Sequence, residues 1–305
     1  MKAGEVCVRL LGTAAGGGLP QWNCACQNCQ DARNGRIPQR GQCSVALGSG
    51  GRWLLINAPP DLSTLMTKEA RLQPLSDSPR NSRIAGVFLT SADLDHVLGI
   101  FSLREGERLS IYATAHIRQT LESSLGLTTI LESFCGVTWH EALLAEFTPT
   151  CSEAEGGGDL HYRAIPLCGH APRFARGEMT DGTNRVAYEF INRATGGRLV
   201  VAPDVSDMNP ALQSALQQSD IALFDGTFWS ETELAGINPR AAPASQMGHM
   251  PMQRSLPILQ GIPALHKAYV HINNTNPAIR PDSEERIAIE TAGVIIPNDG
   301  DELLL

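Results

Sequence analysis

The chain has 305 residues, 42% hydrophobic and 18% charged, a globular composition with enough length for a large core. A formal net charge of −8, without any Lys/Arg cluster, excludes phosphate-backbone binding as the main task, so nucleic acid is not an expected partner. No apolar run approaches the roughly 18 to 20 residues of a membrane span, and Met1–Leu11 alternates where a signal peptide needs an unbroken apolar segment, so a soluble cytoplasmic protein is expected.

Val6–Leu11 reads as a strand entering the glycine-rich loop Gly12–Gly18. Pro20 and a cysteine cluster follow where a phosphate-binding helix would begin, which excludes a dinucleotide fold. Cys43–Leu47 and Arg52–Asn57 make a hairpin around Gly48–Gly51, and Asp61 caps a helix over Leu62–Glu69. The apolar strand Ile84–Thr90 is the centre of the reading, because Asp93, Asp95 and His96 follow within six residues. The ordinary alternative there is a polar loop whose Asp caps a helix at Val97–Leu103.

Leu109–Ala113 is a strand, followed by helices at Ala115–Leu125 and Thr128–Cys135. In the second half, Leu160–Ile165, Arg185–Asn192, Arg198–Ala202 and Ile221–Asp225 are β-rich, with a helix at Pro210–Gln218. Ser255–Gln260 is helical, Lys267–Ile272 is a further central strand, Ser283–Ala292 is a helix and Val294–Ile296 an edge strand. Gly156–Gly158 and Ala241–Pro251 read as loops near a site. Two strand-rich halves with helices between them predict two packed sheets with helices outside, one domain over residues 1–305.

Four more candidate groups follow strands: Asp204, Asp225, His249 and His271. One Asp after a strand is usually a turn or a cap, but several on one rim make the carboxylate and imidazole cluster that a divalent metal requires. Cys24, Cys26 and Cys29 are spaced to wrap one structural Zn²⁺, with a fourth ligand to come from elsewhere. The other five of the eight cysteines are scattered, and most of them read as small buried thiols.

Leu10–Cys29, Ser102–Gly106, Asp225–Trp229, Met247–His249 and His271–Pro277 together resemble the pyrroloquinoline quinone (PQQ) biosynthesis protein B family. The resemblance implies a metallo-β-lactamase-like α/β fold, an αββα sandwich with metal chemistry at one edge. The superfamily's H-x-H-x-D-H loop then falls on Ser91, Asp93, Asp95 and His96, so its two leading histidines are absent. Its bridging Asp resembles Asp204, its final His resembles His271, and His170 lies near its middle His. The His that closes the cysteine zinc site in related members falls on Asn274.

Asp95, His96 and His271 form one carboxylate with two imidazoles, a set that suits non-haem Fe(II) with open positions for dioxygen and substrate. Zinc is able to occupy the same donors in isolated protein. The resemblance implies hydroxylation by O₂ of the tyrosine in a Glu-Tyr unit from the PQQ precursor peptide, alongside other PQQ-biosynthesis proteins; a homodimer is compatible with it. Asp93 and Asp204 would ligate or orient the centre, and His249 would serve as proton donor or substrate contact. Two alternatives stand beside it: a metal-dependent hydrolase of the same fold, and a soluble carrier assisting transport of PQQ or its precursor.

Overall fold

In the computed structural model, residues 4–49, 51–76, 80–150, 159–169, 171–175 and 183–305 are described. The apolar runs of the first half form β1 (Cys7–Gly12), β2 (Ser44–Ser49), β3 (Arg52–Ile56), β4 (Ile84–Phe88), β5 (Leu109–Ala113) and β6 (Val137–Glu141). Those of the second half form β7 (Thr148–Pro149), β8 (Leu160–Leu167), β9 (Arg185–Asn192), β10 (Arg198–Ala202), β11 (Ile221–Asp225) and β12 (His266–Val270). A last strand, β13 (Glu302–Leu304), returns to pair with β1, giving sheet orders β13-β1-β2-β3-β4-β5-β6 and β12-β11-β10-β9-β8-β7.

The two sheets face each other across one apolar layer, because their inward side chains have nowhere else to leave water. Phe88 is its centre. Its ring stacks on Tyr112 at 4.2 Å and meets Tyr162, Tyr188 and Phe190 edge-on at 4.7, 5.1 and 5.2 Å. On the outer face of the first sheet, Leu62 and Leu65 of α2 (Leu62–Lys68) and Ile117 and Leu121 of α4 (Ala115–Leu125) are buried. On that of the second, Leu212 and Leu216 of α6 (Pro210–Gln217), Leu259 of α7 (Met252–Gln260) and Ile289 of α8 (Glu284–Thr291) are buried. Every residue of β9 and β11 is buried, as a strand covered on both faces must be. The result is the αββα sandwich anticipated from sequence.

β3, β4, β5 and β6 run parallel to one another, as do β10, β11 and β12, while β2 and β9 pair antiparallel on their far sides. Chain leaving the carboxyl ends of β4, β10, β11 and β12 carries the candidate acids and histidines to one rim, where ligand sites of such sheets lie.

Several boundaries differ from expectation for local reasons. β4 stops at Phe88 because the Thr90 N–H donates to the Asn57 side chain (3.0 Å) rather than to a strand. The expected helix at Val97–Leu103 is a short α3 (Leu94–Val97) followed by a 3₁₀ segment, Leu98–Glu105. Thr128–Cys135 contracts to α5 (Leu127–Leu131). Asp61 precedes α2 without capping it, because its carboxylate accepts from the backbone and side chain of Gln42 instead. Val294–Ile296 makes a single bridge, Ala268 to Ile295, and the edge strand at the end of the chain is β13. His170, Cys151 and Gly156–Gly158 lie outside the described residues. Among the described residues, no helix is long and apolar enough to cross a membrane.

Phe88→Ala opens a cavity in the layer common to both sheets and is expected to cost about 3–5 kcal/mol of unfolding free energy, measured by urea denaturation. A loss below about 1 kcal/mol would show that the aromatic layer relaxes around the gap.

Candidate metal centre

The loop after β4 is bent by Asn57, which holds a left-handed φ of 63° and pairs with Thr90 through both ends of its amide. The Thr90 hydroxyl donates to Asn57 Oδ1 (3.1 Å) and the Ser91 hydroxyl donates to Asp93 Oδ2 (3.2 Å). Having given away their hydrogens, both hydroxyls accept from His96 Nδ1, at 3.2 and 2.9 Å. That leaves the lone pair on His96 Nε2, a fully buried atom without a hydrogen-bond partner.

The same logic holds on the opposite wall. Asp225, at the end of β11, accepts from the backbone N–H of Val205 and Thr227 (2.8 and 2.9 Å) and from the Thr227 hydroxyl (2.7 Å). Thr227 Oγ1 thereby becomes an acceptor for Nδ1 of His249 (3.1 Å) and of His271 (2.8 Å). His249 Nδ1 also donates to Asp225 Oδ2 (2.9 Å). Both imidazoles are held with N–H at Nδ1 and a lone pair at Nε2, the tautomer of a ligating histidine braced by a hydrogen bond at its other nitrogen.

His271 Nε2 lies 3.2 Å from Asp95 Oδ2. Two acceptors at that distance require a proton or a cation between them. Without an ion the proton is held by His271: burial opposes its charge, but Asp204 and Asp95 outweigh burial and raise its pKa to about 9. Burial would likewise raise the pKa of Asp95 and Asp204. Attraction to the His96 and His271 rings in their protonated forms overcomes it, holding Asp95 below the usual carboxylate range and, with help from Arg185 and His249, Asp204 at about 2.

His271 itself has a left-handed φ of 57°, uncommon for a residue other than glycine. The following residue is pinned on both sides, with Ile272 N–H on the Thr13 carbonyl and Ala15 N–H on the Ile272 carbonyl, both at 2.9 Å. The glycine-rich loop after β1 therefore has a positional task. A Cβ on Gly16 would come within 2.9 Å of Asp95 Oδ2, so only glycine allows the loop to approach that carboxylate.

Two overlapping triplets result, Asp95/His96/His271 and Asp204/His249/His271, each with donor atoms within 4.8 Å of one another. His96 Nε2 and Asp204 Oδ2 make no hydrogen bond, Asp204 Oδ2 only facing His96 Nδ1 at 3.4 Å, and this donor set fits a divalent cation. Asp93 is not part of either triplet. Its carboxylate pairs with Arg185 Nη2 at 2.9 Å. Sequence reasoning did not reach Arg185, Thr227 or Asn57; only Thr227, two residues beyond Asp225, bears a local signal, that of an Asx turn.

Cys24, Cys26 and Cys29 converge at the start of α1 (Gln27–Arg33). The Asn274 amide sits against all three, its Nδ2 at 3.1, 3.6 and 3.3 Å from their sulfurs. Asn28 holds the Asn274 and Asn276 carbonyls at 3.0 and 2.9 Å. Burial opposes ionisation of Cys24, but the N–H of Cys26, the neighbouring thiols and Asn274 lower its pKa. Asn274 thus closes the remaining side of the cluster as a donor to the three sulfurs. Glu233 braces this loop from the other side, accepting from Thr275 Oγ1 and from the Trp229 N–H.

The sandwich and its rim are those of the metallo-β-lactamase class: a family described as Beta-lactamase superfamily domain matches residues 52–272, and the chain belongs to it. Coenzyme PQQ synthesis protein B of Cupriavidus necator is 37% identical, covering 98% of this chain and 99% of its own, and that of Methylobacillus flagellatus is 34% identical with the same coverage. The crystal structure of Zn²⁺-bound PqqB from Methylobacterium extorquens superposes with a TM-score of 0.86 at 30% identity, covering 97% of this chain and 99% of that one. Within the superfamily, the chain belongs to the coenzyme PQQ synthesis protein B family. A diphosphatase of the PhnP family shares the fold, with a TM-score of 0.70 at 20% identity over 99% of this chain and 97% of that one.

Two measurements test this geometry. His271→Ala is expected to remove the metal held at the rim while leaving one zinc per chain at the cysteines, and Cys29→Ala to do the reverse, read by elemental analysis of purified protein. Loss of both metals from either variant would contradict two separate sites. Burial raises Glu233 from near 4.5 to about 7, so the folded chain keeps a proton that the unfolded chain releases. Its contribution is full below about pH 4.5 and is lost as pH rises toward about 7. Glu233→Gln should flatten that slope in urea midpoints; an unchanged slope would mean that Glu233 is ionised throughout.

Proposed function

We propose that this chain acts in PQQ biosynthesis as an iron- and O₂-dependent hydroxylase of the tyrosine in a Glu-Tyr unit derived from the precursor peptide. The observation that carries this reading is the triplet of one carboxylate and two imidazoles, Asp95, His96 and His271, with the His96 lone pair buried and without a partner. Such a set leaves open positions on Fe(II) for a second reactant. Bound there, Fe(II) would supply the electrons that activate dioxygen, with an external reductant balancing insertion of one oxygen atom. Zinc competes for the same donors, and the relative from Methylobacterium extorquens binds Zn²⁺.

The chain's own residues divide the remaining work. Thr227 and Asp225 fix the tautomer of His271 and His249, and Thr90 and Ser91 that of His96. Asp204 offers an oxygen that makes no hydrogen bond and His249 an imidazole edge, either to the cation or to a proton of the substrate phenol. Asp93 acts at one remove, through the guanidinium it holds. The cysteine cluster with Asn274 is assigned a structural Zn²⁺ that ties the start of α1 to the loop following His271.

A second reading, a metal-dependent hydrolase, is favoured by the second triplet, Asp204/His249/His271, an alternative cation position that shares His271 with the first. Anaerobic reconstitution with Fe(II), then addition of a reductant, a Glu-Tyr peptide and O₂, separates the two. Hydroxylated peptide with O₂ uptake is expected, and His96→Ala should lower it by about a hundredfold or more. Phosphodiester or peptide cleavage without O₂ uptake would establish the hydrolase. Tight binding of PQQ without turnover would establish a carrier.

A further inference from the structure

Arg185 opens β9, directly across from the loop that carries Asp93, Asp95 and His96. A single bridge pairs it with Ser91, and the next residue's N–H donates to the Thr90 carbonyl at 2.8 Å. Arg185 is nine-tenths buried, with 9% of it exposed. Only its Nη2 has a partner, Asp93 Oδ2, while Nη1 and Nε are buried without an acceptor. An unmade hydrogen bond of this kind costs about 1–3 kcal/mol, more for a charged group. Neutralising the surrounding acids requires the charge of an arginine but not idle donors.

The surroundings are cut away to make room for this group. A Cβ on Gly248 would lie 2.7 Å from Arg185 Nη1, and one on Gly169 would lie 2.5 Å from its Cδ. Gly248 precedes His249, so Nη1 faces the loop that supplies the second triplet, and the guanidinium charge is felt at Asp204. Asp93 fixes the plane of the fork from one side, and 11% of the Arg185 side chain remains open. The open part is not Nη1 or Nε, which are buried; rigid guanidinium donors left without an acceptor in this way match a carboxylate.

We propose that Arg185, held by Asp93 and seated beneath Gly248, is an anion subsite that takes a carboxylate of the substrate and positions its phenol at the metal centre. The choice of a substrate carboxylate rests on the Glu-Tyr reading above; the subsite itself rests on the unpaired guanidinium. Arg185 is a binding residue: its hydrogen bond goes to Asp93 and none goes to a metal ligand, its charge reaching Asp204 only through space.

The test uses metal-loaded full-length protein and two probes that share a phenol, 3-(4-hydroxyphenyl)propionate and its primary amide. Calorimetric titration should give wild type a preference of about tenfold or more for the acid, corresponding to about 1.4 kcal/mol. Arg185→Gln should bring the two affinities together while metal content stays at the wild-type level. Where that variant fails to fold, Arg185→Lys carries the test, and its preference should fall at least about threefold, since an ammonium lacks the planar fork. A wild type that does not distinguish the probes, or a preference unchanged in the variants, overturns the subsite. A preference that vanishes with Arg185, while Glu-Tyr and O₂ yield no hydroxylated product, supports the subsite and overturns the hydroxylase. Hydroxylated product with an unchanged preference does the opposite.

Discussion

The rim of this protein depends on where one hydroxyl hydrogen goes. Thr227 gives its hydrogen to Asp225, a carboxylate that is fully buried and already accepts two backbone N–H groups. Its oxygen then has only acceptor capacity for the two imidazoles that reach it, so His249 and His271 must turn N–H toward Thr227 and lone pairs toward the centre. Asp225 is thus satisfied without a cation and acts on two ring nitrogens through a single side chain. Thr90 and Ser91 repeat the device for His96.

The same constraint explains why the scaffold has the layout it has. Parallel strands in both sheets bring their carboxyl ends to one rim, and the Phe88 aromatic layer holds the sheets together beneath it. The glycine-rich loop after β1, which resembles a phosphate loop only in composition, serves as a close wall against Asp95 and as an anchor for Ile272. The cysteine cluster ties down the far end of the loop that follows His271 through Asn274. Position at the centre is therefore set from three separate parts of the chain.

The strands legible in sequence were those with continuous apolar runs and double-sided burial: Leu109–Ala113, Arg185–Asn192, Arg198–Ala202 and Ile221–Asp225 have the expected limits. β6, reading Val-Thr-Trp-His-Glu, escaped because it is a half-exposed edge whose apolar alternation extends over only Val137 and Trp139, and β13 because its pairing with β1 closes almost the whole length of the chain. At the rim, Asp95, His96, Asp204, Asp225, His249 and His271 were visible as acids and imidazoles at strand ends. Arg185 and Thr227 carry no such mark; they acquire meaning only from what lies across the fold. Asp93 shows the converse, since its spacing suggested the centre and its actual neighbour is a guanidinium.

The left-handed, doubly anchored His271 belongs to both triplets, and its tautomer is already decided. A neutral imidazole has one lone pair, so a cation that takes Nε2 leaves nothing for a second. Stoichiometry at this rim is consequently governed by a valence rule rather than by available space: the second triplet becomes a competing seat, not an additional one. A pair of cations bridged as in a binuclear clamp would have to find its shared ligand elsewhere, and the carboxylate of Asp204, with one oxygen spare, is the remaining group with that capacity.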